Sequence, residues 1–113
     1  MHTIVITFSL TPDMSDARYR EVCADMAPAF AGFPGLLAKV WLADPDANRY
    51  GGIYLFADDA AADMYLDSAL FRTVRTFPQF TDLTMLRMPV DETATRRTQP
   101  GLAVVGATAG SPA

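Results

Sequence analysis

Three side chains in the middle of the chain have types and a spacing that could support proton transfer on a small aromatic molecule. Lys39 and Trp41 alternate along one short run, and Tyr54 lies in the next. A lysine amine or a tyrosine hydroxyl can act as a base, the lysine most readily where desolvation lowers its pKa. Both groups, and the Trp41 N–H, can also donate hydrogen bonds to a developing oxyanion. The candidate catalytic residues are therefore Lys39, Trp41 and Tyr54.

A second set of residues could line a slot for a planar substrate around these three. A mostly aromatic lining with few polar groups is typical of small-molecule sites. The candidate substrate-binding residues are Thr7, Ser9, Phe56 and Tyr65. The same side chains also fit purely structural roles, and these alternatives stay open at this point. The aromatic ones fit a dimer core, Tyr65 fits a buried helix stripe, and Lys39 could extend to solvent with its stem on the sheet.

The element that must position Lys39, Trp41 and Tyr54 is a predicted β-hairpin. Two runs of β-branched and aromatic residues, near 36–43 and 49–57, flank the turn formers of residues 44–48. This pattern predicts two antiparallel strands joined by a short loop. Both faces of the hairpin are largely apolar, whereas a hairpin with one wet face would alternate apolar and polar residues. We therefore expect both faces to be covered.

The turn also predicts a register for the hairpin. It places Lys39 near Tyr54 and Trp41 near Gly52. Because glycine has no side chain, the indole of Trp41 could lie over the backbone at Gly52. Alternatively, the pair Gly51-Gly52 marks a β-bulge.

The rest of the chain supplies the elements of an α+β fold. Residues 3–10 alternate as a strand, and residues 80–88 form a last strand. Residues 14–31 have the spacing of an amphipathic helix, whose apolar face carries Tyr19, Val22, Cys23, Met26 and Phe30. Asp58-Asp59 begins a second helix with Ala61, Met64 and Tyr65 on its buried stripe, followed by an apolar helical turn. The order β-α-β-β-α-β predicts a ferredoxin-like fold, an antiparallel four-stranded sheet with two helices on one face.

We expect different elements to cover the two faces of this sheet. The helices should cover Ile4, Ile6, Phe8, Ile53 and Leu55, the more uniformly apolar set. The open face would then carry Val5, Thr7, Ser9, Lys39, Trp41, Tyr54 and Phe56. Such an aromatic face is unlike a solvated surface, and a second copy of the sheet in a closed two-fold arrangement would cover it. We therefore expect a homodimer that packs through the open sheet faces as a dimeric α+β barrel.

The chain divides into a domain of residues 1–89 and a tail of residues 90–113. The tail is rich in Thr, Ala, Gly and Pro without periodicity, so we expect it to be extended or disordered. Residues 101–105 are apolar enough to dock, for instance on a partner subunit.

Composition excludes several classes of function. The net charge is −4 with no Lys/Arg cluster, which argues against nucleic acid as a partner. No apolar run reaches the ~20 residues of a membrane span, and no secretory signal is visible, so we expect a cytoplasmic protein. Cys23 is the single cysteine and fits a small buried residue, which excludes a cysteine-built zinc site. His2 is the single histidine, which excludes a histidine-rich metal site within one chain and leaves haem ligation by His2 as an alternative to an exposed terminal residue. No phosphate-binding glycine motif is present, and we expect no cofactor.

At the hairpin the sequence resembles a known family. The resemblance rests on Pro34-Gly35, Lys39-Val40-Trp41, the run Gly51-Gly52-Ile53-Tyr54-Leu55-Phe56 with Asp58, and Tyr65-Leu66. These motifs look like those of the YdhR-type monooxygenase family. The match is closest over residues 34–67, and the order of elements extends it over residues 1–88. The tail is longer and richer in Ala, Gly and Thr than the family pattern, so no function is carried over to it.

The resemblance implies a dimeric barrel and kinship with small monooxygenases that oxidise aromatic polyketides without metal or flavin. The hypothesis is oxygenation of an electron-rich aromatic or polyketide-type molecule by O₂, with no cofactor. Rival hypotheses are a polyketide cyclase, lyase or isomerase that uses the same pocket without O₂, a non-catalytic barrel that binds a small molecule, and a dimer whose face is filled by side chains. Fold alone does not choose among these.

Overall fold

The chain folds in the predicted β-α-β-β-α-β order, with the second helical segment divided into two helices. The computed structural model describes residues 1–99. Its elements are β1 (His2–Leu10), α1 (Asp16–Ala31), β2 (Leu36–Asp44), β3 (Arg49–Phe56), α2 (Asp59–Leu66), α3 (Ala69–Thr76), β4 (Phe80–Pro89) and α4 (Glu92–Thr98). The strands form one antiparallel sheet in the order β2-β3-β1-β4. This confirms the ferredoxin-like fold.

Local sequence signals explain where the helices begin. The Ser15 side chain accepts a hydrogen bond from the Arg18 N–H at the start of α1, and Asp58 caps α2 in the same way. Ser68 caps α3, which makes it a separate helix after Asp67 ends α2. The core lies between the helices and one face of the sheet, where alternate residues of β1 from Ile4 to Leu10 are buried.

The predicted hairpin register is confirmed. Lys39 lies opposite Tyr54, and Trp41 lies opposite Gly52. Pairing continues without a shift through both glycines of β3, so Gly51-Gly52 is not a bulge. The irregular pairings are elsewhere, between Leu36 and Ala38 of β2 and between residues 7 and 9 of β1.

The predicted assignment of the hairpin to the sheet faces is wrong. Residues directly opposite each other in an antiparallel pair share a face. Ile4 pairs with Tyr54, which places Tyr54 and, through the hairpin, Lys39 on the helix-covered side. Trp41 and Phe56 lie on the same, helix-covered side. Ile53 instead pairs with Val5 on the open face and is 39% exposed.

The physical reason is that β3 carries large apolar residues on both faces, so its composition does not show which face is inward. A shift of one residue then moves every side chain to the other side. Tyr54 can be buried because its hydroxyl finds a partner on α2, which removes the cost of an unpaired polar group.

Two smaller predictions also need correction. The buried residues of α2 are Ala61, Ala62 and Tyr65, whereas Met64 is 55% exposed. Within the predicted tail, Glu92–Thr98 form α4, which Asp91 caps through a hydrogen bond from the Ala94 N–H. The predicted docking of residues 101–105 lies outside the described residues. None of the helices within residues 1–99 is long and apolar enough to cross a membrane.

Candidate active site

The amine of Lys39 lies inside a cage of three aromatic rings. Its Nζ is 3.3 Å from the ring centroid of Phe30, 3.4 Å from that of Trp41 and 4.6 Å from that of Tyr54. These distances are within the ~6 Å over which a ring face attracts a cation. We call Phe30, Trp41 and Tyr54 the aromatic cage. It brings together the three residues predicted to be catalytic and adds Phe30, a residue of α1.

The two layers of the fold build this cage from opposite sides. Lys39 and Trp41 alternate on β2, so both point toward the helices, and Tyr54 lies directly across from Lys39 on β3. Phe30 comes from the last turn of α1 and meets the Trp41 ring edge-on, with centroids 5.3 Å apart.

Gly52 gives the lysine stem its space. A Cβ at this position would lie 2.9 Å from Cε of Lys39 and 3.3 Å from the ring of Tyr54. The sequence suggested that the indole of Trp41 could lie over this glycine. In the structure the lysine stem approaches it instead, and this approach directs the amine into the cage.

The cage adjoins two cavities of different size. The inner cavity has a volume of about 20 Å³, room for one molecule the size of water. It is lined by the cage, Lys39 and residues that include Tyr19, Cys23 and Met26. The outer cleft, between α1 and β2, has about 270 Å³ and is lined by Ala27, Phe30, Ala31, Leu36, Ala38, Lys39 and Trp41. Because Phe30, Lys39 and Trp41 line both, they form the boundary between them.

Burial makes the Lys39 amine a base near neutral pH. Desolvation by the surrounding apolar side chains lowers its pKa to about 7, and only the negative charge of an ionised Cys23 would oppose this shift. Within residues 1–99 the amine has no hydrogen bond or ion pair that would restore the charge. The ring faces of the cage attract the ammonium form and therefore act against desolvation.

The tyrosines of the site remain protonated at neutral pH. Desolvation raises the pKa of Tyr54 to about 12 and raises that of Tyr65 as well. The Tyr65 hydroxyl lies 3.3 Å from the Tyr54 hydroxyl and donates to it, which leaves the Tyr54 proton free to donate elsewhere. Of the two groups proposed as bases, Lys39 therefore suits that role and Tyr54 suits a hydrogen-bond donor.

Thr7 and Ser9 do not belong to this site. Both lie on the open face of the sheet, where the Arg49 guanidinium donates to Ser9 Oγ at 3.0 Å and to Thr7 Oγ1 at 2.5 Å. Thr7 also bonds Thr84 at 2.7 Å. Their grouping with Tyr54 followed from the wrong face assignment.

The two aromatic residues predicted to bind substrate lie on the helix side but behind the cage. Phe56 and Tyr65 are fully buried, and neither lines a cavity described above. Tyr65 contacts Tyr54 with ring centroids 5.1 Å apart. They support the cage from behind. Phe30 is a site residue that was not predicted, although the helical spacing of Cys23, Met26 and Phe30 placed all three on the apolar face of α1.

The charge of Lys39 predicts a pH-dependent change in stability. The amine has a pKa of about 7 in the folded protein and of about 10.4 in the unfolded chain. Below pH 7 the folded protein therefore holds an ammonium group in an apolar site, which lowers its free energy of unfolding. Removing it with Lys39→Met should raise the free energy of unfolding at pH 6 by roughly 1–3 kcal/mol. The gain should decline as pH rises from 7 through about 10.4, above which the lysine is neutral in both states.

Urea denaturation at pH 6 and pH 9.5 measures this difference. Arg18→Met, which removes an exposed charge from α1, serves as the control and should show no such decline. Because the charge of Lys39 also lowers the pKa of Cys23, all three proteins carry Cys23→Ala, so that the thiol does not titrate in this pH range. An equal effect of Lys39→Met at both pH values would contradict the lowered pKa.

Comparison with known proteins bears on the family and the fold of the chain. The family model described as "Putative mono-oxygenase ydhR" matches residues 4–100. No curated protein matches the chain. SnoaB, a cofactor-independent oxygenase from Streptomyces nogalater, is a similar solved structure with 21% identity and a TM-score of 0.63. The alignment covers 79% of this chain and 91% of that chain.

Two further structures share the fold at lower identity. A protein of unknown function from Nitrosomonas europaea, NE2512, is 15% identical with a TM-score of 0.66, covering 80% of this chain and 88% of that one. A putative antibiotic biosynthesis monooxygenase from Deinococcus radiodurans is 16% identical with a TM-score of 0.63, covering 80% and 92%. These structures support the fold, and the family match confirms the resemblance found at the hairpin. The chain therefore belongs to the family described as "Putative mono-oxygenase ydhR".

Proposed function

We propose that the protein is a cofactor-independent monooxygenase that oxidises an electron-rich aromatic or polyketide-type small molecule with O₂. The observation that carries the proposal is the Lys39 amine, held at a pKa of about 7 inside the aromatic cage and beside an open cleft. The family description supports oxygenase chemistry. SnoaB, which shares the fold, is a cofactor-independent oxygenase.

The chemistry requires a base, a donor and a dry aromatic slot. Lys39 takes a proton from the substrate, for example from the CH₂ group of an anthrone, and Tyr54 donates a hydrogen bond to the oxyanion that forms. The anion transfers an electron to O₂, and recombination of the two radicals gives a peroxide anion at the same carbon, which takes the proton back from Lys39 and becomes a hydroperoxide. The neutral Lys39 then removes the remaining proton from that carbon as the O–O bond breaks, so one oxygen atom enters the product as a C=O group. The departing hydroxide takes this second proton from Lys39 and leaves as water.

The size of the inner cavity sets a condition on substrate binding. A volume of about 20 Å³ holds no aromatic ring while the lysine fills the cage. The substrate would therefore enter through the outer cleft of about 270 Å³ and displace the Lys39 amine from the ring faces. The displaced amine stays at the wall that both cavities share, within reach of a bound substrate.

Oxygen consumption by purified protein tests the proposed function. An oxygen electrode and a panel of anthrones and polyhydroxylated aromatics should give uptake that matches the amount of quinone formed. Substrate loss without oxygen uptake would instead indicate a cyclase, lyase or isomerase in the same pocket. Binding without turnover would indicate a non-catalytic barrel, and either of these results would overturn the proposal.

We also propose that the protein is a homodimer through the open face of the sheet. Large apolar side chains are exposed across this face: Val40, Ile53, Leu86 and Met88 are between 39% and 57% exposed. They lie on β2, β3 and β4, so the patch spans the sheet. A contiguous apolar surface of this kind marks an interaction site, and a two-fold pairing of identical faces would cover it.

Charge on the open face is expected to separate the dimer. Leu86→Arg would place a guanidinium against the apolar face of the partner, so light scattering at micromolar concentration should fall from about twice 12.3 kDa to about 12.3 kDa. Met64→Arg is the matched control, because Met64 is similarly exposed but lies on α2. A wild-type mass near 12.3 kDa would contradict the dimer.

A further inference from the structure

Lys39 is the only lysine in the chain, and the other eight basic residues are arginines. Arginine stays protonated at any pH at which proteins are stable, whereas a buried lysine can lose its proton. Lys39 is therefore the one side chain that can present a neutral primary amine. It is placed in the apolar site rather than on the surface.

The surroundings of this amine suit a nucleophile. Neither the inner cavity nor the outer cleft is lined by a carboxylate among the described residues, so no ion pair holds the ammonium form there. The titratable groups that face the amine are Cys23 and Tyr19 of α1 and Tyr54 of β3. The pKa of each of the three is raised, chiefly by desolvation, so all three are neutral near pH 7.

The amine can also be approached from outside. The outer cleft of about 270 Å³ includes Lys39 in its wall, and the remaining wall is formed by apolar side chains with small Ala27, Ala31 and Ala38 among them. A molecule with one aromatic ring fits such a volume. Its reactive group would meet the amine at the boundary with the cage.

We propose that Lys39 captures small aromatic aldehydes and ketones as an imine. The nitrogen lone pair of the neutral amine forms a C–N bond to the carbonyl carbon while the carbonyl π electrons move to oxygen. Transfer of a proton from nitrogen to that oxygen gives a carbinolamine, and loss of water then leaves the C=N bond. The step involves no net oxidation or reduction, so it needs neither O₂ nor a cofactor.

The aromatic cage would favour this product in two ways. The inner cavity beside the amine, of about 20 Å³, has room for no more than one water molecule that could hydrolyse an imine. In the protonated imine, the ring faces that now hold the ammonium would hold the iminium cation at the same position. Lysines desolvated in apolar pockets are the ones that proteins use for such chemistry.

This capture goes beyond the proposed oxygenation, although both use the same amine. Lowering the pKa from about 10.4 to about 7 raises the neutral fraction at pH 7.5 by roughly several hundredfold. A less basic amine is also a weaker nucleophile, so we expect a net rate advantage of at least about tenfold over a free lysine side chain. The pH profile of trapping should rise through about 7.

Reductive trapping tests the proposal directly. The full chain is incubated with benzaldehyde and sodium cyanoborohydride under nitrogen, and peptide mass mapping locates the benzyl group. The expected result is a benzyl adduct on Lys39 that forms at least about tenfold faster than on Nα-acetyl-lysine at pH 7.5. Lys39→Arg keeps a cation in the cage and should show labelling of the N-terminal amine alone.

An adduct confined to the N-terminal amine of the wild type would overturn the proposal. A Lys39 rate equal to that of Nα-acetyl-lysine, or one that rises only near pH 10, would also overturn it. Because the experiment excludes oxygen, its result is separate from that of the oxygen electrode. Trapping on Lys39 without oxygen uptake would support the imine proposal and contradict the proposed oxygenase function.

Discussion

Gly51→Ala is expected to lower the free energy of unfolding by more than about 3 kcal/mol, the combined order of backbone strain and overpacking. Gly51 lies in the middle of β3 with a φ of 146°, a backbone conformation that L side chains rarely adopt. A Cβ there would lie 1.9 Å from the carbonyl oxygen of Ile6. That oxygen belongs to β1 in the centre of the sheet, so it has no flexible side chain that could yield.

Urea denaturation followed by circular dichroism measures this loss. Gly32→Ala is the matched control, since Gly32 ends α1 with a negative φ and its added Cβ would lie 3.7 Å from the Pro28 carbonyl oxygen, an ordinary contact. We expect this control to change stability by no more than about 0.5 kcal/mol. Equal midpoints for Gly51→Ala and wild type would show that β1 and β3 are less closely packed than described.

Lys39→Met is expected to reduce turnover of the oxygenase substrate by about 10²–10⁴-fold, the range for loss of a positioned proton-transfer group. Methionine preserves the length and apolar stem of lysine but has no basic nitrogen. Lys39→Arg should be nearly as inactive, because a guanidinium keeps the positive charge and yet gives up no proton near pH 7. The pair therefore separates a base from a cation that only binds.

The oxygen electrode measures these rates, and thermal unfolding confirms that each variant is folded. For the wild type, kcat/KM should rise through about pH 7 as the lysine loses its proton. Tyr54→Phe removes the donor and should cost at least about tenfold, whereas Arg18→Met on the exposed side of α1 should keep full activity. Full activity in Lys39→Arg would rule out the amine as the base.

The order of elements could be predicted from the sequence because it depends on local signals. Residues 44–48 form a turn that sets the register of the hairpin, and this register correctly placed Lys39 opposite Tyr54. The face of the hairpin depends on how β3 pairs with β1, strands far apart in the chain. Since β3 is apolar on both sides, no local pattern indicates which face of the hairpin packs against the helices.

The aromatic cage and α4 were not predicted from the sequence, and the reasons differ. The helical spacing placed Phe30 inward, but its contact with Lys39 depends on the packing of α1 against β2, which periodicity alone does not specify. For α4, the local signals were present: Asp91 caps the helix, Glu92 lies in its first turn and two arginines lie in its last. The Thr- and Ala-rich composition of the tail outweighed them in the prediction.

The strand order β2-β3-β1-β4 has a consequence for how the chain folds. β2 and β3 are neighbours in the sequence and can pair early, as a hairpin closed by a short turn. β1 comes first in the chain but occupies an inner position, and both of its partners come much later, so its pairing waits for the closure of long loops. The slow step of folding should therefore be the insertion of β1 between β3 and β4, and until then its apolar face is open to association with other chains.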